Sequence, residues 1–339
     1  MLVKTFCAAV NGIEATVVTV EVSMTRGTFY HLTGLADEAV RESHDRIVAA
    51  LQNTGFKFPV ADTTVNMAPA DIRKEGSGYD LPLAIGILAA SGKVLPDHLH
   101  EYMLIGELGL DGRLQPVRGA LPIAMKARAE KYKGLIVPKQ NICEAAVVNN
   151  IDVYGMDSIV DVINFLNGQE QFEPTVIDTR KEFYEHQSHF EFDFADVKGQ
   201  DSVKRALEVA AAGGHTLIMI GPPGSGKSMM AKRLPSILPP LSLSESLETT
   251  QIHSIAGKLG KNMSLISQRP FRAPHHTISQ AALVGGGANP QPGEISLARN
   301  GVLFADELPE FNRSVLEVLR QPLEDRNITI SRAKYTIEY

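Results

Sequence analysis

Residues 221–228 read Gly221-Pro222-Pro223-Gly224-Ser225-Gly226-Lys227-Ser228. The run satisfies G-x-x-x-x-G-K-[ST] at every fixed position. Gly224 and Gly226 let the backbone approach a polyphosphate closely with its N–H groups turned inward. Lys227 is spaced to reach the β- and γ-phosphates of ATP, and Ser228 to ligate Mg2+. Just before the run, 216–220 (Thr-Leu-Ile-Met-Ile) predicts a short apolar strand. Just after it, 229–234 predicts a helix that Pro235 stops. Strand, glycine-rich loop and helix, in that order, are the surroundings a P-loop needs. The helix turns its N-terminal donors and the positive end of its dipole toward the same anions. ATP and Mg2+ are therefore the expected ligands.

A P-loop enzyme needs a second element that holds the metal and activates water. Residues 301–307 (Gly-Val-Leu-Phe-Ala-Asp-Glu) supply it, as an apolar strand from whose end two carboxylates emerge. Asp306 is the expected metal contact beside Ser228, and Glu307 the expected general base. Lys227 and Glu307 are thus the catalytic expectations. In the long interval between Ser228 and Asp306, Ser242-x-x-Glu245 predicts a capping box opening a helix that runs through Ile255. A basic and aromatic cluster follows at 269–276 (Arg-Pro-Phe-Arg-Ala-Pro-His-His). Two readings of it stay open: a contact to nucleic acid or a partner subunit, or an ordered loop whose histidines cap backbone groups. His275 and His276 do not suggest zinc, because adjacent residues do not converge on one ion without further ligands.

Upstream, 201–212 predicts a helix closed by Gly213-Gly214. Residues 169–196 carry eight carboxylates against Arg180 and Lys181 and read as a solvated acidic linker. The first half mixes both element types. The β-branched run 16–22 predicts a strand, 36–52 a helix stopped by Gly55, and 81–90 a buried helix. Asp111-Gly112 suits the tight turn of a hairpin over 108–114. Residues 134–137 predict a short buried strand, and 157–166 a helix ended by Gly168. A chain of 339 residues suits two domains, and 44% hydrophobic residues give each a core. The net charge of −6 argues against coating nucleic acid by bulk charge and leaves a local basic surface open. Cys7 and Cys143 lack partners at ligand spacing and read as free thiols. No stretch approaches the roughly 20 apolar residues of a membrane helix, so a cytoplasmic protein without a membrane partner is expected.

The second half resembles the magnesium-chelatase-like AAA+ ATPases, and within them the ComM/YifB family. The words that carry this are Gly199-Gln200, 204–215 (Lys-Arg-Ala-Leu-Glu-Val-Ala-Ala-Ala-Gly-Gly-His), 269–279, 292–298, 306–311, 320–324 and 329–332. The first half resembles the family's N-terminal domain, which is similar in fold to the proteolytic domain of Lon. It does so through 74–84 (Lys-Glu-Gly-Ser-Gly-Tyr-Asp-Leu-Pro-Leu-Ala) and 106–117. The implied fold class is α/β: a Lon-like domain (ribosomal protein S5 domain 2-like) over 1–168, the linker, and a partial AAA+ domain over 197–339. In Lon a serine and a lysine form the catalytic dyad. Here those positions fall on Gly78 and Leu121, with Ser77 and Lys126 close by, and the domain is read as non-proteolytic.

The resemblance implies an ATP-driven motor that acts on DNA, a helicase of branch-migration type in DNA uptake, built as a hexameric ring of copies when full length. The alternatives are the ATPase subunit of a metal chelatase, and an ATP-dependent regulatory module without DNA. The family continues beyond residue 339 with a sensor-1 strand, an arginine finger and a helical lid. A truncated chain is therefore expected, one that binds ATP and hydrolyses it weakly when alone.

Overall fold

The β-branched run at 16–22 lies inside strand β2 (Glu14–Thr25), which pairs antiparallel along its length with β1 (Leu2–Asn11). Val18, Val20 and Val22 are fully buried, while the intervening Thr19 and Glu21 are half-buried, the period of two that a strand imposes. The computed structural model describes residues 1–187, 190–260, 263–286, 291–325, 329–332 and 335–338. It divides into two units. The first comprises Met1–Ile177 with Gly257–Ser264, the second Asp178–Ala256 with Leu265–Tyr339. Among the described residues, no helix is long and apolar enough to cross a membrane.

In the first unit β1 and β2 are joined by β3 (Tyr30–Thr33), β4 (Asp62–Ala68) and β5 (Tyr102–Leu104). Next comes a small hairpin of β6 (Glu107–Leu108) and β7 (Leu114–Gln115), and then β8 (Gly134–Pro138) and β9 (Asp152–Met156). The seven-stranded sheet has the order β3-β4-β2-β1-β5-β8-β9. Its β1–β5–β8–β9 half is parallel, and the pairs of β2 with β1 and β4 are antiparallel. The helix Asp80–Ala90 is buried at every residue and packs on β1 and β2. A Cβ on Gly86 would stand 2.8 Å from Val22 Cγ2, so glycine is what lets helix and sheet approach this closely. At its first turn the fully buried Asp80 accepts from Arg46 Nε at 2.7 Å, Arg46 Nη2 at 2.9 Å and the Leu108 amide at 3.2 Å. The expected hairpin forms, with Gly112 at φ 80° in its turn.

Two local expectations are modified. The helix expected over 36–52 is a short turn, Glu38–Arg41, followed by Ser43–Asn53. Asp37 caps the first piece by accepting from the Val40 amide at 2.8 Å. The acidic stretch 169–196 carries a helix, Thr179–His186, capped by Asp178 and burying Phe183. It also carries a turn at Phe194–Asp196. Phe183 and Phe194, set among many charges, give too weak a periodicity to announce either element.

In the second unit the helix Asp201–Gly213 ends on Gly214 at φ 62°. Leu207 packs there with Phe194, Val197 and Met230. The capping box forms as expected: Ser242 N donates to Glu245 Oε2 at 2.8 Å, and Glu245 N to Ser242 Oγ at 3.3 Å. Strand β10 (Phe271–Arg272) and two-residue strands β11 (Gly285–Gly286) and β12 (Gln291–Pro292) precede β13 (Val302–Leu303). Strands β10 and β13 pair in parallel, and β11 and β12 antiparallel. Strands β14 (Thr329–Arg332) and β15 (Tyr335–Glu338) form a hairpin. The strand expected over 216–220 is not one: it joins no ladder among the described residues. Met219 turns toward the Phe194 cluster, while Ile218 and Ile220 are 71% and 90% exposed. An apolar run becomes a buried strand only between neighbours that cover both faces, and no strand pairs with this run among the described residues.

Candidate functional site: the P-loop and its carboxylates

The phosphate loop has the backbone its sequence demands. Gly224 and Gly226 lie at φ 78° and 87°, in the left-handed region that a side chain disfavours. Gly226 stands at the N-cap of Lys227–Arg233, and the Met230 amide returns to the Gly226 carbonyl at 2.9 Å. Ser225 N donates to the Pro222 carbonyl at 3.3 Å, which folds the loop over itself. Gln200, itself at φ 57°, reaches in from the preceding element and donates Nε2 to the Ser225 carbonyl at 3.1 Å. The word Gly199-Gln200 marks this residue in the sequence, but its contact to the loop becomes visible only in three dimensions.

Lys227 folds back on its own loop. Its Nζ donates to the Gly221 carbonyl at 2.8 Å and to the Pro222 carbonyl at 3.0 Å. These oxygens occupy the ammonium where phosphate oxygens would otherwise do so. Ser228 Oγ donates to Asp306 Oδ2 at 2.8 Å, and the Glu307 amide donates to Asp306 Oδ1 at 3.1 Å. The structure thus brings Ser228 and Asp306 together, as the expected shared metal contact requires. A hydroxyl and a carboxylate, both oxygen donors, suit the hard Mg2+ ion, which takes one or two protein ligands and completes its shell with phosphate and water. These residues fit the ion.

Glu307 emerges from the same strand end at φ 54° and ψ 48°, an unusual conformation for a residue with a side chain. Its carboxylate is turned to His276, with Nδ1 and Oε2 3.6 Å apart. Motif spacing gave no hint of this contact. The strand behind the carboxylates is half-buried, although its composition suggests full burial.

The arginines of the 269–276 cluster are committed within the chain. Arg269 donates to the carbonyls of Pro239 at 2.5 Å, Asn300 at 2.7 Å and Pro240 at 3.5 Å. Arg272 makes a two-pronged pair with Glu294 at 2.6 and 2.7 Å. His275 Nδ1 meets Thr277 Oγ1 at 2.9 Å. These contacts order the loop within the chain, and His276 faces the Glu307 carboxylate rather than a backbone group. In the first unit, Ser77 Oγ donates to Glu107, and Lys126 pairs with Glu130 at 2.7 Å. The two candidates for a dyad therefore have other partners.

A family model described as magnesium chelatase, subunit ChlI, matches residues 193–339, and one described as subunit ChlI of Mg-chelatase matches 20–141. The chain is 45% identical over 335 residues to competence protein ComM of Haemophilus influenzae, covering 98% of this chain and 65% of that protein. It is 44% identical over 333 residues to the uncharacterized protein YifB of Escherichia coli, covering 98% and 64%. Lon protease 2 of Bacillus subtilis matches at 30% identity over 159 residues, covering 43% and 27%. The chain therefore spans a little under two thirds of the length of the ComM and YifB relatives. Identity of 44–45% over 97–98% of the chain, through both units, means that the chain belongs to the magnesium-chelatase-like ComM/YifB family.

Proposed function

We propose that the second unit binds ATP with Mg2+ and hydrolyses it, and that in a ring of copies this hydrolysis drives a motor acting on DNA. One observation carries the nucleotide reading: Ser228 and Asp306, far apart in sequence, meet at 2.8 Å beside a complete P-loop. Lys227 exchanges its loop carbonyls for the β- and γ-phosphates as the nucleotide enters. Ser228 and Asp306 hold the metal, which when bound neutralises charge on the phosphates. Glu307 accepts the proton of the attacking water. Hydrolysis by an isolated copy is slow, because a ring supplies charges to the γ-phosphate across its subunit interface.

The DNA reading is supported by the resemblance and by the Haemophilus relative, a competence protein. The chelatase reading is supported by the description of the matching family model. DNA-stimulated turnover decides between them, and turnover indifferent to DNA favours the chelatase-type or regulatory role. For the site itself, nucleotide affinity and turnover are compared for the wild-type chain and Glu307→Gln. The variant should bind ATP as the parent does and lose turnover. Equal turnover by the two proteins would remove Glu307 from the assigned role.

A further inference from the structure

We infer that Arg269 is a positioning residue for the proposed metal site, setting the spacing at which Ser228 and Asp306 face each other. The inference rests on the ATP and Mg2+ reading above.

Two segments carry the oxygen donors. The helix Lys227–Arg233 bears Ser228 at its start and continues through a tighter helical turn, Leu234–Ile237, to Pro239 and Pro240. Strand β13 opens after Asn300 and Gly301 and leads to Asp306. From Asn300 to Asp306 the chain spans at most about 20 Å. From Ser228 to Pro239, mostly helical, it spans about 15–20 Å. The two segments are thus of similar length, and the bond from Ser228 Oγ to Asp306 Oδ2 joins them at one end. Arg269 joins them at the other. Its Nε donates to the Pro239 carbonyl at 2.5 Å and its Nη2 to the Pro240 carbonyl at 3.5 Å, while Nη1 donates to the Asn300 carbonyl at 2.7 Å. One planar guanidinium therefore holds the far ends of both segments together. A lysine, with a single ammonium on a flexible stem, cannot span all three acceptors in one plane.

The clamp is itself held. The side chain of Arg269 is 15% exposed, and Glu245 Oε1 lies 3.7 Å from its Nη2. Asn300, at φ 57°, donates Nδ2 to the Glu245 carbonyl at 3.3 Å and to Thr249 Oγ1 at 3.2 Å. A Cβ on Gly301 would stand 2.1 Å from the Pro270 carbonyl, so the turn into β13 packs directly on the residue after Arg269. Among the described residues β13 pairs with β10, and no ladder joins either strand to the stretch before the P-loop. Among those residues, side chains rather than strand pairing set the distance of β13 from the P-loop helix. Mg2+ is sensitive to that distance, because it demands near-octahedral geometry with oxygens at about 2.1 Å. Removing a group that orients a metal ligand directly costs about 10- to 100-fold in metal affinity. Arg269 acts through two segments, so its removal should cost less, about 5- to 10-fold.

Four variants test this in the chain as it stands: Arg269→Gln, Arg269→Lys, Asp306→Asn and the double variant Arg269→Gln/Asp306→Asn. ATP affinity is titrated with and without Mg2+ for each beside the wild type, and urea unfolding checks that each is folded. Wild type should bind ATP more tightly with Mg2+ than without it. Arg269→Gln should weaken binding by about 5- to 10-fold with Mg2+ and by less than about twofold without it. Arg269→Lys should show the same pattern with a smaller loss, and it decides the matter if Arg269→Gln does not fold. In the Asp306→Asn background, Arg269→Gln should add less than about twofold. A loss of equal size with and without Mg2+ marks a merely structural role and overturns the inference. An undiminished loss in the Asp306→Asn background overturns it as well, as does Mg2+-supported affinity within twofold of wild type in both Arg269 variants. A wild-type chain whose ATP affinity does not rise with Mg2+ instead overturns the metal reading, and the inference with it.

Discussion

Replacing Lys227 with methionine removes a charge while keeping a side chain of similar length. In the structure the ammonium is held by two carbonyls, at 2.8 and 3.0 Å, in an exposed setting. Water replaces bonds of this kind readily, so each contributes only about 1 kcal/mol net. Phosphate offers charged acceptors instead, and a hydrogen bond between charged partners contributes about 1.5–3 kcal/mol. Two such bonds gained and two loop bonds forfeited leave a net of about 1–4 kcal/mol in favour of nucleotide. At about 1.4 kcal/mol per factor of ten, Lys227→Met should weaken ATP binding by between about fivefold and several hundredfold. Titration with a fluorescent ATP analogue in the presence of Mg2+ measures this directly. The same titration without Mg2+ should show the same ratio, since Lys227 is not a ligand of the metal. An affinity within twofold of wild type would refute the exchange of carbonyls for phosphates.

Arg272→Ala should lower stability by about 1–2 kcal/mol, because it leaves the partly exposed Glu294 without its two-pronged partner. DNA affinity and its salt slope should stay as they were, whereas a slope shallower by about one unit would mark Arg272 as a phosphate contact. Asp80→Ala should cost the first unit about 3 kcal/mol in urea unfolding. Three donors lose an acceptor that is fully buried, and Arg46, at 21% exposure, recovers only part of that from water. Glu245→Ala should cost about 1 kcal/mol at neutral pH through loss of the capping box. The Ser242 amide, foremost, holds this carboxylate below its ordinary value. A lowered acid stabilises the folded state above its unfolded pKa and loses that contribution as pH falls through the folded one. The gap between Glu245→Ala and wild type should therefore narrow below about pH 4.5, and a gap constant down to pH 3 would count against the cap.

Sequence spacing made the chemistry of the phosphate loop legible because the backbone there leaves little choice. Gly224 and Gly226 must take positive φ, and Lys227 and Ser228 follow them at fixed offsets. The meeting of Ser228 with Asp306 was legible for a different reason, since a complete loop requires a second oxygen donor. The hairpin at Asp111-Gly112 and the buried helix Asp80–Ala90 were likewise written locally, in turn chemistry and in an unbroken apolar run. What could not be read depends on neighbours distant in the chain. Residues 216–220 have strand composition and no ladder, because pairing is a property of two segments. Arg269 and Arg272 look like a cationic surface until Asn300 and Glu294 are seen to occupy them. His276 acquires its relation to Glu307 only from the parallel register of β10 and β13.

The hydroxyl-to-carboxylate bond at the proposed metal site joins positions 78 residues apart. Closing a loop of that length costs on the order of 4 kcal/mol in chain entropy, by (3/2)RT ln n. One exposed hydrogen bond returns about 1 kcal/mol. The bond therefore cannot draw its own ends together, and it exists because the packing of Phe194, Leu207 and Met230 and the ladder of β10 with β13 have already done so. In the order of folding events the metal site belongs at the end, after the interior has condensed. In unfolding it belongs at the beginning, so a loss of nucleotide affinity should precede any loss of helix as denaturant is raised.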